Sequence, residues 1–325
     1  MAHSPVVLGL DFGGTKIAMA VCDPDGERLA SATVSSGGEL GARASFQRGI
    51  QAARGLLTTA APGRELAAVG VSTFGIPFDD RVELAPAIDG WGDLTFGKGL
   101  RAAFPMAAVR MATDAKAAAH AERRWGALAG CDPAIYLNLG TGLSAALVAG
   151  GQVISGGNGA AGEIGYNLRT ASDVGVPLTA RVPLEDMISG QAMARRAAGQ
   201  SAHGQPMAAG EVFEASLGDP GLDRLVTDFV TELAFHVVNL AICLNPVRIA
   251  VGGGMVRSWD RLRPGLQQAL DSGVPFPPEL VVARFPSDAP LIGAVALAVD
   301  AVQAGAPAGG GPVFLSRTQT EGLPS

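Results

Sequence analysis

The sequence predicts a mixed α/β protein of two domains, and three observations carry that expectation. The chain has 325 residues, about two domains' length. Short apolar runs that read as buried strands are followed by segments of helical period, at the spacing of strand–helix units. The composition is 48% hydrophobic but only 5% aromatic, with 45 glycines, so large cores are built from small residues. The net charge of −6 argues against a nucleic-acid surface and against a polybasic membrane patch. Met1 to Pro5 show no basic segment followed by a long apolar one, so no secretory leader is expected. No uninterrupted apolar run is read as long enough to span a membrane. Cys22, Cys131 and Cys243 are scattered, which fits reduced thiols and neither a disulfide framework nor a zinc site. The expectation is a soluble, cytoplasmic protein.

The first element is a hairpin. An apolar run, Val6 to Leu10, is followed by Asp11-Phe-Gly-Gly-Thr-Lys16, a second apolar run, Ile17 to Val21, and the turn Asp23-Pro-Asp-Gly26. Gly13 and Gly14 let backbone N–H groups approach an anion closely, Thr15 adds a hydroxyl, and Lys16 adds a positive charge. Asp11, at the strand end, suits Mg²⁺, a cation that prefers oxygen ligands. A plain Gly-Gly hairpin turn with a solvated lysine is the alternative.

Leu29 to Ser35 reads as a third strand, Ala42 to Ala60 as a helix ending before Pro62-Gly63, and Leu66 to Thr73 as a buried strand. Phe74 to Pro77 and Val82 to Trp91 read as loops. Val109 to Met111 is a strand, with Thr113 as N-cap of an alanine-rich helix from Asp114 to about Trp125. Asp114 thus sits just past a strand end, a place for a functional carboxylate or for a structural first-turn acid. Next comes the strand Ile135 to Leu139, then Gly140-Thr-Gly142, then Leu143 to Ala149. Gly140, Gly142 and Ala145 match a dinucleotide fingerprint formally, but that fingerprint needs a following helix. The residues that follow read as a strand, so this is a second phosphate hairpin.

Gly156 to Gly165 is glycine-rich, yet it interleaves Ala and Ile and carries Glu163. A flexible linker seldom has that composition. Leu168 to Pro183 reads as irregular, Asp186 to Ala198 as helical, and Gly199 to Ala208 as a polar loop. A long helix is expected over about Asp219 to Leu244, stopped by Pro246. Arg248 to Val251 is a strand, Gly252-Gly-Gly254 a turn into a helix over Ser258 to Ser272, Glu279 to Ala283 a strand, and Leu291 to Val302 a closing helix. The domains are expected as 1–112, joined by the closing helix at about 291–302, and 113–290. The Gly-, Pro-, Thr- and Ser-rich stretch 303–325 is expected to be disordered. His120, His203 and His236 stand without partners at ligand spacing, so each reads as structural or solvated. Trp91, Trp125 and Trp259 read as packing residues.

Four separated motifs now coincide: Asp11-Phe-Gly-Gly-Thr-Lys16, Leu139-Gly-Thr-Gly142, Asn158-Gly-Ala-Ala-Gly-Glu-Ile-Gly165 and Asn245-Pro-Val-Arg-Ile-Ala-Val-Gly-Gly-Gly254. Their order and spacing, over about residues 6 to 302, resemble the ROK family of repressors, open reading frames and sugar kinases. The resemblance implies an actin-like, ribonuclease-H-like ATPase fold with ATP and a sugar meeting in a cleft between two domains, and a homodimer. The family's repressors carry a helix-turn-helix domain ahead of the kinase-like part. The position of Asp11 and the acidic balance point instead to the enzyme branch. By resemblance, Gly13, Gly14, Thr15 and Lys16 flank the β- and γ-phosphates of ATP, with Asp11 near Mg²⁺. Gly140, Thr141 and Gly142 hold the phosphates from the other domain, and Gly252, Gly253 and Gly254 line the nucleotide. Asp114 is the catalytic base at the substrate hydroxyl, while Glu163 and Glu185 bind substrate hydroxyls. Phosphoryl transfer needs little beyond such positioning, charge neutralisation and one carboxylate.

Departures from the family pattern fall on the substrate side. Its kinases usually read Asn-Asp-Ala-Asn where this chain has Thr113-Asp-Ala-Lys116, and Glu-Ile-Gly-His where it has Glu163-Ile-Gly-Tyr166. The cysteine places of the family's zinc loop hold Val176, Leu178 and Pro183, so no zinc is expected. Asn-Leu-Pro-Gly-Trp is replaced by Ala87-Ile-Asp-Gly-Trp91. Losing two amides and an imidazole argues against an ordinary glucose or N-acetylmannosamine kinase. With Thr113, Glu163, Tyr166 and Glu185 as substrate contacts, the pocket suits a polyol, and a C7-cyclitol of the valiolone or valienone type fits. A hexose kinase is the second reading and a non-catalytic sugar sensor the third. Lys116 either pairs with a carboxylate and shuts the site or points to solvent from the first helical turn. The solvent-facing orientation is the expectation.

Overall fold

The computed structural model describes residues 4–200 and 207–305. The opening hairpin is β1 (Val6–Phe12) and β2 (Lys16–Cys22), followed by β3 (Arg28–Ser35), α1 (Ala42–Ala60) and β4 (Leu66–Thr73). The short strands β5 (Ile76–Pro77) and β6 (Val82–Glu83), α2 (Phe96–Ala103) and β7 (Ala108–Thr113) come next. Then follow α3 (Asp114–Trp125), β8 (Ala134–Leu139), β9 (Leu143–Ala149), β10 (Gln152–Val153), α4 (Gly190–Gln200) and α5 (Ala209–Ala215). The chain closes with α6 (Pro220–Leu244), β11 (Arg248–Gly252), α7 (Trp259–Gly273), β12 (Glu279–Val282) and α8 (Ala289–Gln303).

The chain divides into two compact units. One comprises the residues up to Asp114, Ser155–Ala161 and those from Ala294 onward; the other comprises Ala115–Ile154 and Gly162–Gly293. Among the described residues each unit holds a five-stranded sheet, ordered β3-β2-β1-β4-β7 in the first and β10-β9-β8-β11-β12 in the second. In both, the central strand pairs antiparallel with the next strand, and a third strand pairs antiparallel with that one. Two further strands, reached through helices, lie parallel to the central strand. The repetition of this order is the ribonuclease-H-like arrangement of actin-like ATPases.

The first unit gathers several of its aromatic side chains into one cluster. Phe12, Phe46, Trp91 and Phe96 pack with ring centroids 5.4–5.8 Å apart, close enough for favourable edge and offset contacts. This cluster fills one side of the sheet. In the same unit β4 meets α8 so closely that a Cβ on Gly70 would overlap the Ala294 carbonyl. The second unit's core is mainly aliphatic: Ile135, Leu137, Val251 and Leu143 of the sheet pack with Met193, Phe229, Leu233 and Leu266 of the helices.

Most elements fall where the residues place them, with four differences. Ile76–Pro77 and Val82–Glu83 form a small antiparallel pair where loops were expected. The helix expected from Asp186 begins at Gly190. Residues Leu184–Asp186 make a 3-10 turn, and the Ser189 hydroxyl accepts the Ala192 N–H at 3.2 Å, a cap that sets the start. α2 and α5 carry too few residues to show a clear period. Gly199 and Gln200 belong to α4 rather than to a loop. α6 is long and apolar enough, by length and composition, to cross a membrane, although Asp223, Arg224, Asp228 and Glu232 interrupt its apolar residues. Half of its apolar window is buried here. Leu222, Leu225, Val226, Phe229, Leu233, Val237 and Ala241 recur at helical spacing on its buried side, and it packs on α7. Its ends are set by Asp219, whose carboxylate accepts the N–H groups of Gly221 and Leu222 at 2.8 and 3.1 Å, and by Asn245 in the left-handed region. His203, with the rest of 201–206, and the stretch 306–325 lie outside the described residues.

The approach of β4 to α8 gives a stability prediction. Gly70→Ala forces a methyl into the Ala294 backbone and should cost about 3 kcal/mol, the upper end of ordinary overpacking, read as a lowered denaturant midpoint with unchanged slope.

Candidate active site

In the first unit the β1–β2 turn is closed by the Gly13 N–H donating to the Lys16 carbonyl at 3.0 Å. The turn is crowded: a Cβ on Gly13 would lie 2.9 Å from that oxygen, and one on Gly14 would lie 3.3 Å from the Ala87 methyl. Ser36 then binds the far side, its hydroxyl donating to the Gly14 carbonyl at 2.7 Å and its N–H to the Thr15 carbonyl at 3.0 Å. With those acceptors satisfied inside the protein, the turn can present N–H groups, the Thr15 hydroxyl and the Lys16 ammonium, the set that binds phosphate. Thr15 and Lys16 are exposed.

Register brings the acidic groups to the same sheet end. Asp11 lies opposite Ser72, and Thr73 lies opposite Thr113, the last residue of β7. Asp114 begins α3 immediately afterwards. β1, β4 and β7 are mutually parallel, so both carboxylates stand at carboxyl ends of strands, where α/β folds bind ligands. Burial pushes the Asp11 carboxyl up to about 6. The Ser72 hydroxyl opposes that shift, the Asp114 charge adds to it, and Lys16 lowers it. Ser72 Oγ is itself buried without a partner at hydrogen-bonding geometry, so its pull on Asp11 is dipolar. Two carboxylates and a buried hydroxyl form a donor set that suits Mg²⁺ or its water shell. Trp91 is fully buried beneath, donating from its ring N–H to Thr73 Oγ1 at 3.3 Å.

In the second unit the turn Gly140-Thr141-Gly142 repeats the same device with different partners. The N-terminus of α4 supplies the donors: Gly190 N–H reaches the Gly140 carbonyl at 2.9 Å and Gln191 N–H the Thr141 carbonyl at 3.4 Å. Thr141 is exposed. Glu185 holds the other side, accepting the Leu143 N–H at 2.8 Å. It lies so near that a Cβ on Gly142 would strike Oε2. Gly253, at φ 90°, backs onto this turn, and a side chain there would collide with the Leu139 carbonyl. Gly252 is buried against the Tyr136 hydroxyl, and Gly254 is the exposed member of the three.

Glu163 leads into the 3-10 turn Ile164–Tyr166, which the Gly162 carbonyl ties to β9 through the Ala145 N–H at 2.8 Å. Tyr166 shares one neighbourhood with both predicted substrate carboxylates. Burial, then the charges of Glu185, Glu163 and Asp186, keep its hydroxyl above the usual range and protonated. Lys116 does not face solvent, which corrects the expectation. Its side chain is 4% exposed and its Nζ lies 3.2 Å from Glu163 Oε1. The segment after Tyr166 is tied down by guanidinium groups: Arg181 donates to the Tyr166 and Asn167 carbonyls at 2.6 and 3.1 Å, and Arg169 to Glu232 at 2.5 Å. Among the described residues no group of three or more His, Cys, Asp or Glu is arranged to hold a metal. Sequence reasoning missed Ser36, Ser72 and the α4 N-terminus. Only the strand register, which pairs Lys16 with Ser35, could have pointed to Ser36.

A family model described as the ROK family matches residues 7–301. The chain belongs to the ROK family. This ROK chain is 31% identical over 306 residues to the bifunctional enzyme NanE/NanK of Brucella suis biovar 1, covering 91% of the chain and 53% of that protein. It therefore spans about half the length of that curated relative. It is 29% identical to the kanosamine kinase of Amycolatopsis mediterranei, with 91% and 96% of the two chains covered. Among solved structures, a ROK family glucokinase from Streptomyces griseus, in complex with glucose and AMPPNP, superposes with a TM-score of 0.72 at 28% identity, covering 91% and 99%. The fold is the actin-like ATPase fold.

The raised carboxyl of Asp11 has a stability consequence. The folded protein holds this proton more tightly than the unfolded chain, so its contribution is present in full below pH 4 and lost as pH rises through about 6. Two pH units amount to about 3 kcal/mol. Asp11→Asn should therefore melt higher than the parent at pH 8, with the gap closing toward pH 4 in thermal unfolding.

Proposed function

We propose that this chain is an ATP-dependent kinase that phosphorylates a hydroxyl of a sugar-like polyol, with Asp114 as the base. The observation that carries the reading is the pair of glycine turns whose carbonyls are satisfied internally. Such turns suit a polyphosphate, and the AMPPNP in the Streptomyces griseus glucokinase structure agrees. Gly13, Gly14, Thr15 and Lys16 would take the β- and γ-phosphates, Gly140, Thr141 and Gly142 the phosphates from the second unit, and Gly252 to Gly254 the nucleotide. Asp11 would hold Mg²⁺, whose charge neutralises developing negative charge on the transferring group. Asp114 orients the substrate hydroxyl through a charge-assisted hydrogen bond and then accepts its proton. Thr113, Glu163, Tyr166 and Glu185 fix the ring.

For the substrate we favour a C7-cyclitol of the valiolone or valienone type, because Thr113, Tyr166 and Ala87 stand where hexose kinases of the family carry amides and an imidazole. The names of the relatives, a kanosamine kinase and a glucokinase among them, keep a hexose as the second reading. The buried Lys116–Glu163 pair supports a third, a sensor that binds sugar without turnover.

The test is ADP release from Mg-ATP with glucose, N-acetylmannosamine, kanosamine and C7-cyclitols. Turnover on a cyclitol is expected. Asp114→Asn should lower kcat about 10²–10⁴-fold, the usual worth of a positioned base, with nucleotide affinity retained. Turnover on a hexose alone overturns the cyclitol assignment, and sugar binding without ADP release overturns the kinase.

A further inference from the structure

The Lys116–Glu163 pair reaches further than a departure in sequence. Glu163 is one of the substrate carboxylates of the reading above, on which this inference rests. It is partly open, with 21% of its side chain exposed, whereas Lys116 is 4% exposed. A ligand can therefore meet Glu163 but not the lysine behind it. Lys116 lies two residues beyond Asp114 on the first turn of α3. Its contact with Glu163 is a route by which its charge reaches a ligand.

Charge decides what Glu163 can recognise. An isolated carboxylate in a half-buried pocket attracts an ammonium strongly and accepts a hydroxyl more weakly. With a buried cation 3.2 Å from Oε1, the net field toward the ligand collapses, and the acceptor lone pairs stay available for a neutral O–H. A ligand ammonium at that place would also be repelled by Lys116, through a medium that screens poorly. Glu185 is not neutralised by this pair, and one of its oxygens is engaged by the Leu143 N–H. The discrimination is therefore local to the ring position that faces Glu163.

We propose that Lys116 is a specificity-determining residue that sets the charge class of the substrate. It cancels the charge of Glu163 from behind, so the site takes neutral polyhydroxylated rings and rejects analogues with a protonated amine at the position facing Glu163. A chain with a neutral residue at 116 would accept those amino analogues.

The experiment measures binding by calorimetry, independently of turnover, in matched pairs: glucose against its 2-amino and 3-amino derivatives, and a C7-cyclitol against its amine, all at pH 6 where the amines are protonated. In the parent, at least one amine is expected to bind 30-fold or more weaker than its neutral partner. Lys116→Met should narrow that ratio at least tenfold, and Lys116→Arg, which keeps the charge, should preserve it. Because Lys116→Met removes the cation beside Glu163, Lys116→Met/Glu163→Gln serves as the second variant. It should lose the discrimination, read as the ratio within each pair, whatever its affinity for the neutral ring. Equal binding within every pair in the parent, absence of binding included, overturns the proposal, as does a ratio unmoved in both neutral variants. ADP release in the same samples separates the two claims: discrimination without turnover retains the role of Lys116 and overturns the kinase reading, while turnover without discrimination does the reverse.

Discussion

Everything at this site depends on where the backbone carbonyls of two short turns are spent. A glycine turn carries both donors and acceptors, and it repels an anion as readily as it binds one unless the acceptors are engaged elsewhere. In the first unit Ser36 takes the carbonyls of Gly14 and Thr15. In the second, the first two N–H groups of α4 take those of Gly140 and Thr141. The two solutions use unrelated residues and reach the same chemical face. That convergence follows from the repeated sheet order, which puts each turn at the same hairpin of its sheet. It explains the crowding as well, since glycines at 13, 142 and 253 leave room for neighbouring backbone or carboxylate atoms that a Cβ would displace.

The acidic side of the first unit is built at some cost in stability. Parallel pairing of β1, β4 and β7 sets Asp11, Ser72 and Asp114 at one sheet end, and burial holds the Asp11 carboxyl near 6. A fold under selection for stability alone would not keep an orphaned serine hydroxyl and two like charges together. In the second unit the arrangement differs: Glu163 is paired with Lys116, and one oxygen of Glu185 accepts the Leu143 N–H.

Much of the fold was legible because the periodicities were strong. α1 and β4 have the bounds that helical spacing and the flanking Pro-Gly predict, and the strand after Gly142 excluded a dinucleotide fold before any coordinates. Short elements escaped for a physical reason: α2 and α5 contain two turns or fewer, so their pattern cannot be separated from a loop, and the cap at Ser189 competes with a plausible start at Asp186. Motifs located Asp11, Asp114, Glu163 and Glu185 but not what surrounds them. Ser72 is set by register between strands sixty residues apart, and Lys116 was misjudged because a lysine in a first helical turn is usually solvated. Its burial is decided by Glu163, 47 residues away, a tertiary fact with no local signal.

The measurement that tests the account most directly is calorimetric binding of Mg-AMPPNP to the parent and to Ser36→Ala. That substitution removes only the hydroxyl that engages the Gly14 carbonyl, at a residue that need not touch the nucleotide. The account predicts that the parent binds and that the variant, still folded, binds about tenfold more weakly, the worth of one intramolecular hydrogen bond. Equal affinity in the two proteins, or no binding by the parent, would contradict it.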